Sequence, residues 1–66
     1  MEPRYPDITV ELSGQDGNAM FIISRVRNAL RHACVPKIEI DAFSSDAMSG
    51  DYDHVLQTCM AWVNVE

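Results

Sequence analysis

This chain of 66 residues has few cysteines, no long apolar run and no lysine or arginine after residue 37. Each of these absences excludes a class of protein. Two cysteines, Cys34 and Cys59, are too few to staple a secreted miniprotein, so both are expected to be free thiols. No apolar run approaches the roughly 18 residues that cross a bilayer, and the start has no signal-peptide pattern. A chain this short buries only about 60% of its unfolded surface, which excludes a second core. We therefore expect one cytoplasmic domain over residues 1–66.

The beginning of the chain carries the signature of one β-strand. Apolar residues make up 47% of the sequence, which is enough for a packed core. Residues 8–12 alternate apolar and polar side chains, the period of a strand with one buried face. Pro3 and Pro6 interrupt any earlier pairing, so residues 1–6 are expected to form an extended arm. The small and polar residues 13–17 predict a turn.

The next segment has the period of an α-helix. Asn18 or Asp16 can cap its first turn, and Pro36 stops it near Cys34. Arg25, Arg27 and Arg31 lie on its polar side. Its apolar stripe consists of Ala19, Ile22, Ile23, Val26, Ala29, Leu30 and Ala33.

Two interpretations compete after Pro36. Ile40, Phe43 and Ala47 share one face of a helix that Pro36 could begin. Residues 37–42 also alternate cleanly, which is typical of a short strand. We favour the helix and keep the strand as the alternative.

A third helix and a closing strand complete the chain. Gly50 is suited to a left-handed cap on the preceding helix, and Asp51 is suited to the N-cap of the next. Residues 63–65 return to the strand period and could pair with the first strand. The helical stripe between them comprises Tyr52, Val55, Leu56, Cys59 and Met60.

This order predicts a small α+β fold. Its sheet would have two strands, the first and last in the chain, or three if residues 37–42 pair. Two or three helices would cover one face, because a sheet this small is marginal when uncovered. The other face and one strand edge would stay open to a partner.

No pattern in the sequence predicts a cofactor, a metal or a catalytic residue. Gly14 and Gly17 precede a helix but lack the lysine and the hydroxyl of a phosphate-binding loop. The histidines and cysteines are spaced poorly for a shared metal. The sequence Asp51-Tyr52-Asp53 begins like a calcium loop, but the pattern breaks at Val55. We therefore expect a protein that is not an enzyme, with both thiols packed in its core.

Charge is distributed unevenly along the chain. All five basic residues lie at or before Lys37, although the formal net charge is −5. Residues 38–66 contain six acidic residues and no lysine or arginine. An acidic segment of this kind repels nucleic acid and anionic membranes and attracts a basic surface on another protein. Spaced carboxylates can satisfy the lysines and arginines that otherwise bind duplex phosphates. The residues predicted to bind a partner are Glu39, Asp41, Asp46, Asp51 and Asp53.

Other interpretations of these features stay open. The acidic face could serve only solubility, or the arginines of the first helix could pair with the acids of a second copy to form a homodimer. The alternative function is a small structural or accessory protein that self-associates through a strand edge or an apolar patch. Trp62 could anchor an interface, although core packing is expected more often for a lone tryptophan.

Four segments of the sequence carry a resemblance. Residues 10–19 (with GQDGNA), 26–31 (with ALR), 49–54 (SGDYDH) and 63–65 resemble segments of small bacterial and prophage-borne proteins. The resemblance covers nearly the whole chain and implies no catalytic residues. In size and acidity the chain is similar to anti-CRISPR proteins, several families of which block the access of DNA to a Cas surveillance complex. The resemblance thus implies an inhibitor that mimics DNA.

Overall fold

The helices and strands follow the predicted order. A computed structural model describes residues 2–12 and 18–66. The predicted turn at 13–17, with Gly14, Gly17 and the alternative cap Asp16, lies outside the described residues. The α+β class is confirmed. The elements are β1 (Tyr5–Val10), α1 (Ala19–His32), α2 (Lys37–Ala47), α3 (Tyr52–Trp62) and β2 (Val63–Val65).

The sheet joins the two ends of the chain. β1 and β2 pair in parallel, with Val10 opposite Val65 and Tyr5 opposite Val63. Parallel strands need a long crossover, which the three helices supply. The register is irregular between Tyr5 and Thr9, and there the Asn64 side chain donates a hydrogen bond to the Pro6 carbonyl.

The first strand begins earlier than predicted. It starts at Tyr5, so the last two residues of the expected extended arm belong to β1. Pro6 is tolerated because it lies where the pairing is irregular and no backbone donor is required. Pairing also extends past the strand, since the Leu12 amide donates to the Glu66 carbonyl at 2.8 Å.

Side chains at the helix starts explain where α1 and α3 begin. The Asn18 carboxamide oxygen accepts from the amide of Met20 at 2.9 Å, and the Asp51 carboxylate accepts from the amide of His54 at 3.0 Å. Each contact satisfies a donor that the first helical turn leaves free. Both predicted N-caps are confirmed.

Residues 37–47 form a helix, as favoured above. Ile40, Phe43 and Ala47 are buried, so the helical period buries three apolar side chains on one face. A strand over residues 37–42 would have buried Ile38 together with Ile40, but Ile38 is exposed. The sheet therefore has two strands among the described residues.

Aromatic side chains tie the sheet to the helices. Trp62 is 8% exposed and lies in the core, with its ring centroid 5.7 Å from that of Phe43 and 6.0 Å from that of Tyr5. The Arg4 guanidinium carbon lies 4.8 Å from the centroid of the Trp62 ring. Trp62 is thus a core residue rather than an exposed interface anchor.

The buried face of α3 differs from the prediction. Tyr52 and Met60 are 41% and 55% exposed, whereas Thr58 and Trp62 are buried with Val55 and Cys59. The Thr58 hydroxyl donates to the His54 carbonyl at 2.8 Å, which makes its burial possible. β2 follows α3 directly, and Trp62, the last residue of α3, packs against Phe43 and Tyr5.

Two predictions about the connections are wrong. Gly50 does not adopt the left-handed conformation expected of a cap. A Cβ atom at Gly50 would lie 2.8 Å from the Cβ and Cγ atoms of His54, so close packing requires the glycine. Among the described residues other than glycine, the one with a left-handed backbone is Cys34, with φ of 64°. Cys34 is exposed and is not a core thiol, whereas Cys59 is buried as predicted.

Candidate functional site

The five carboxylates predicted to bind a partner differ in whether basic side chains of the same chain pair with them. Glu39 is paired inside the molecule, since its Oε1 atom lies 2.5 Å from Nη2 of Arg4. The Tyr5 hydroxyl donates to the same oxygen at 3.2 Å. Both partners come from the N-terminal end of the chain. The contact with Arg4 offsets the negative charge of Glu39, so this residue is not a free carboxylate.

Asp41 is paired as well. Lys37 Nζ lies 2.9 Å from Oδ2 of Asp41, and Arg27 Nη1 lies 3.5 Å from its Oδ1. The hydrogen bond from Lys37 lowers the pKa of the Asp41 carboxyl, and the charges of Lys37 and Arg27 act in the same direction against partial desolvation. Asp41 therefore belongs to an internal network of charges.

The remaining three carboxylates lie where α2 meets α3. We call residues 46–53 the acidic junction. Asp46 is in the last turn of α2, Asp51 is the N-cap of α3, and Asp53 is in its first turn. Within the described part of the chain, none of the three contacts a lysine or an arginine. The acidic junction is therefore the part of the predicted set whose negative charge is not offset by a lysine or an arginine of the described residues.

His54 holds the acidic junction in place. Its Nε2 atom lies 2.9 Å from the Asp46 carbonyl oxygen, so that nitrogen carries the proton. The Ser49 hydroxyl donates to the same carbonyl at 2.7 Å and lies 3.1 Å from Nε2. Asp46 Oδ1 lies 3.6 Å from Nε2. These contacts join the end of α2 to the start of α3.

Serine, histidine and aspartate meet here without forming a catalytic triad. In a triad the carboxylate binds Nδ1 and the hydroxyl gives its proton to a bare Nε2. Here Ser49 and Asp46 both contact Nε2, and that nitrogen is itself a donor to a carbonyl. His54 therefore cannot accept the proton of Ser49 in this arrangement. The sequence alone does not predict this contact, because residues 46, 49 and 54 meet only when the connection between α2 and α3 folds back.

The acidic junction also exposes apolar side chains. Met48 is 52% exposed and Tyr52 is 41% exposed, and both lie between or beside the three carboxylates in sequence. Tyrosine and methionine are enriched at protein interfaces. The junction thus combines negative charge with the side chains that protein partners bind, which a purely solubilising surface does not require.

A second polar feature lies on α1 and α2. Arg27, Arg31, Val35, Lys37 and Ile40 line an open groove of about 490 Å³. The arginines of α1 were expected to share one side, but Arg25 points elsewhere and donates to the Glu11 carbonyl at 2.8 Å. We call the groove the basic groove. The spacing of four residues between Arg27 and Arg31 already indicates that they share one face of α1. The position of Lys37 beside them depends on the turn at Pro36, which the spacing does not predict.

Comparisons with known proteins do not assign the chain to a family. No family model, no curated protein and no solved structure matches it. Within residues 2–12 and 18–66 no helix has the length and apolarity to span a membrane. The same residues contain no group of three histidine, cysteine or acidic side chains placed to hold a metal ion.

Proposed function

We propose that this protein is a non-catalytic binding module whose acidic junction docks onto a basic surface of another protein. One observation carries the proposal. The carboxylates of Asp46, Asp51 and Asp53 have no lysine or arginine partner among the described residues, whereas Glu39 and Asp41 do. Uncompensated carboxylates attract basic partners and accept charge-assisted hydrogen bonds from them.

The rigidity of the acidic junction supports this function. Asp51 is fixed by its hydrogen bond to the His54 amide, and the Asp46 backbone is fixed by Ser49 and His54. A surface that is ordered before binding loses less conformational entropy when a partner binds. The exposed Met48 and Tyr52 add apolar contact area beside the charges.

The specific form of the proposal is competition with DNA. A partner protein that binds duplex DNA presents lysines and arginines to the phosphates. The carboxylates of the acidic junction would engage the same side chains of that partner. The resemblance to anti-CRISPR proteins suggests a Cas surveillance complex as the partner. Glu39 and Asp41 would join the interface only by exchanging Arg4, Arg27 and Lys37 for side chains of the partner.

The test removes the charge of the acidic junction while preserving the fold. We choose the triple variant D46N/D51N/D53N because asparagine caps a helix about as well as aspartate does, so α3 keeps its N-cap. The matched control E2Q/D7N/E11Q changes the net charge by the same amount at exposed acids in another part of the chain. Immobilised parent and variants are compared for the proteins that they capture from a bacterial lysate at low and high salt.

A partner retained by the parent and the control but lost by the junction variant is the expected result. Three charge pairs of about 0.5–1 kcal/mol each predict a loss of at least about tenfold in affinity. Duplex DNA added to the captured complex should displace the parent. Equal capture by all three proteins would overturn the proposal, and DNA that leaves the complex unchanged would overturn its DNA-mimic form.

A further inference from the structure

The basic groove concentrates positive charge in an acidic protein. The chain has five lysines and arginines, and three of them line this groove. They come from two elements, with Arg27 and Arg31 on α1 and Lys37 at the start of α2. Like charges placed together repel one another unless an anion offsets them. The groove therefore favours negative charge, either from the chain or from a ligand.

The chain supplies only part of that negative charge. Asp41 lies 2.9 Å from Lys37 Nζ and 3.5 Å from Arg27 Nη1. Arg27 also donates to the Ser44 hydroxyl at 2.5 Å, which fixes its guanidinium. Arg31 has no side-chain hydrogen bond or ion pair within the described residues. Among the described residues, one carboxylate pairs with these cations, which leaves the groove with a charge of about +2 and leaves Arg31 without an ion pair.

The size and chemistry of the groove match a small phosphate ester. A phosphate monoester carries about −1.5 to −2 charges at neutral pH, which equals the charge that Asp41 leaves unbalanced. The planar guanidinium of arginine binds two phosphate oxygens at once. A volume of about 490 Å³ lies in the range of small-molecule sites, and Val35 and Ile40 add apolar surface beside the cations.

We propose that the basic groove binds a small phosphate monoester that carries an apolar or aromatic substituent. Arg31 and Lys37 contact the phosphate, and Arg27, held by Ser44 and Asp41, sets the inner limit of the site. A polyanion such as DNA is disfavoured, because the protein as a whole carries a net charge of −5 and repels it at long range. A single small dianion instead offsets the local positive charge of the groove.

The experiment is a titration of the ¹⁵N-labelled protein with phenyl phosphate, followed by amide chemical shifts. Arg31→Gln removes a cation that has no described internal partner, so the fold is expected to persist. Arg25→Gln is the matched control, with the same charge change on the same helix at a side chain outside the groove. Lys37→Gln tests the second cation.

We expect saturable shifts at the amides that border the groove, at residues 31, 35 and 37. Arg31→Gln should weaken binding about tenfold and Lys37→Gln several-fold, while Arg25→Gln stays within about twofold of the parent. Inorganic phosphate should bind more weakly than phenyl phosphate because it makes no apolar contact, and benzoate should bind more weakly because it carries one charge.

Several outcomes would overturn the proposal. Shifts that do not saturate at millimolar phenyl phosphate, or equal weakening by Arg31→Gln and Arg25→Gln, would mean that the chain only attracts anions nonspecifically. If inorganic phosphate binds as tightly as phenyl phosphate, the proposed contact with an apolar or aromatic substituent is wrong. Perturbation of the same amides by raising the protein concentration alone would assign the groove to a second copy. The variant D46N/D51N/D53N leaves the groove intact, so failure of the binding-module proposal is measured separately.

Discussion

Replacing Gly50 with alanine tests why the connection between α2 and α3 requires glycine. A Cβ atom at residue 50 would lie 2.8 Å from both Cβ and Cγ of His54, whereas ordinary contacts begin at 3.4 Å. The Cβ atom of His54 belongs to the rigid part of that side chain and cannot move without the backbone of α3. The substitution must therefore shift the connection or displace the start of α3.

The expected cost is a large part of the stability of the domain. Overpacking costs about 1–3 kcal/mol. Displacing His54 also weakens its 2.9 Å hydrogen bond to the Asp46 carbonyl, which contributes about 0.5–1.5 kcal/mol. We expect Gly50→Ala to lower the free energy of unfolding by about 2–3 kcal/mol, out of about 3–10 kcal/mol for a chain of this length. Urea unfolding, followed by Trp62 fluorescence and far-ultraviolet circular dichroism, measures this change.

A double-mutant cycle with His54→Gly separates the two explanations. Glycine at residue 54 has no Cβ atom, so the contact disappears and Gly50→Ala should become about 1–3 kcal/mol less costly in that background. A left-handed backbone at Gly50 would instead cost about 1–2 kcal/mol whatever residue 54 is. The same cost of Gly50→Ala in both backgrounds would refute the packing explanation.

The two cysteines give the remaining predictions. A thiol reagent should modify Cys34 in the native protein and Cys59 only on unfolding, because Cys34 is exposed and Cys59 is buried; mass spectrometry identifies the site, and rapid native labelling of Cys59 would contradict its placement in the core. Burial raises the pKa of the Cys59 thiol from 9.0 to about 11. As the pH rises, the unfolded chain therefore releases the Cys59 proton before the folded chain does. The contribution of the neutral Cys59 thiol to the free energy of unfolding is complete below pH 9 and is lost as pH rises to about 11. Cys59→Ala should flatten the pH dependence of unfolding over that range, and an unchanged slope would show that other groups cause it.

Local signals in the sequence were sufficient for the order of the elements and for the N-caps of α1 and α3. Asn18 and Asp51 act on amides two or three residues away, so the contacts that begin α1 and α3 can be inferred without the fold. The same holds for α2, whose helical stripe of Ile40, Phe43 and Ala47 was stronger than the competing alternation. Such contacts depend on short spacing and survive in any tertiary arrangement.

Features that depend on tertiary packing were not predicted. α3 has apolar residues on more than one side, and its packing against other elements, including the contacts of Trp62 with Tyr5 and Phe43, decides which side is buried. The role of Gly50 depends on the direction in which α3 leaves the connection. Propensity gives no information about either choice, because both are set by packing between elements that are distant in sequence.

Tertiary packing also decides which of the five predicted carboxylates have a basic partner. The pair between Lys37 and Asp41 was predictable from its spacing of four residues, but the pairs of Arg4 with Glu39 and of Arg27 with Asp41 join separate elements. The distribution of charges along the sequence does not predict ion pairs between separate elements. Among the described residues, the predicted carboxylates without a lysine or arginine partner are therefore the three of the acidic junction.

The most direct test of the proposed function is the salt dependence of partner binding. The affinity of the captured partner is measured over a series of salt concentrations for the parent, D46N/D51N/D53N and E2Q/D7N/E11Q. If the acidic junction is the contact surface, the affinity of the parent and of the control falls steeply with salt, while the junction variant binds weakly with little salt dependence. Parallel salt dependences for all three proteins would contradict the account.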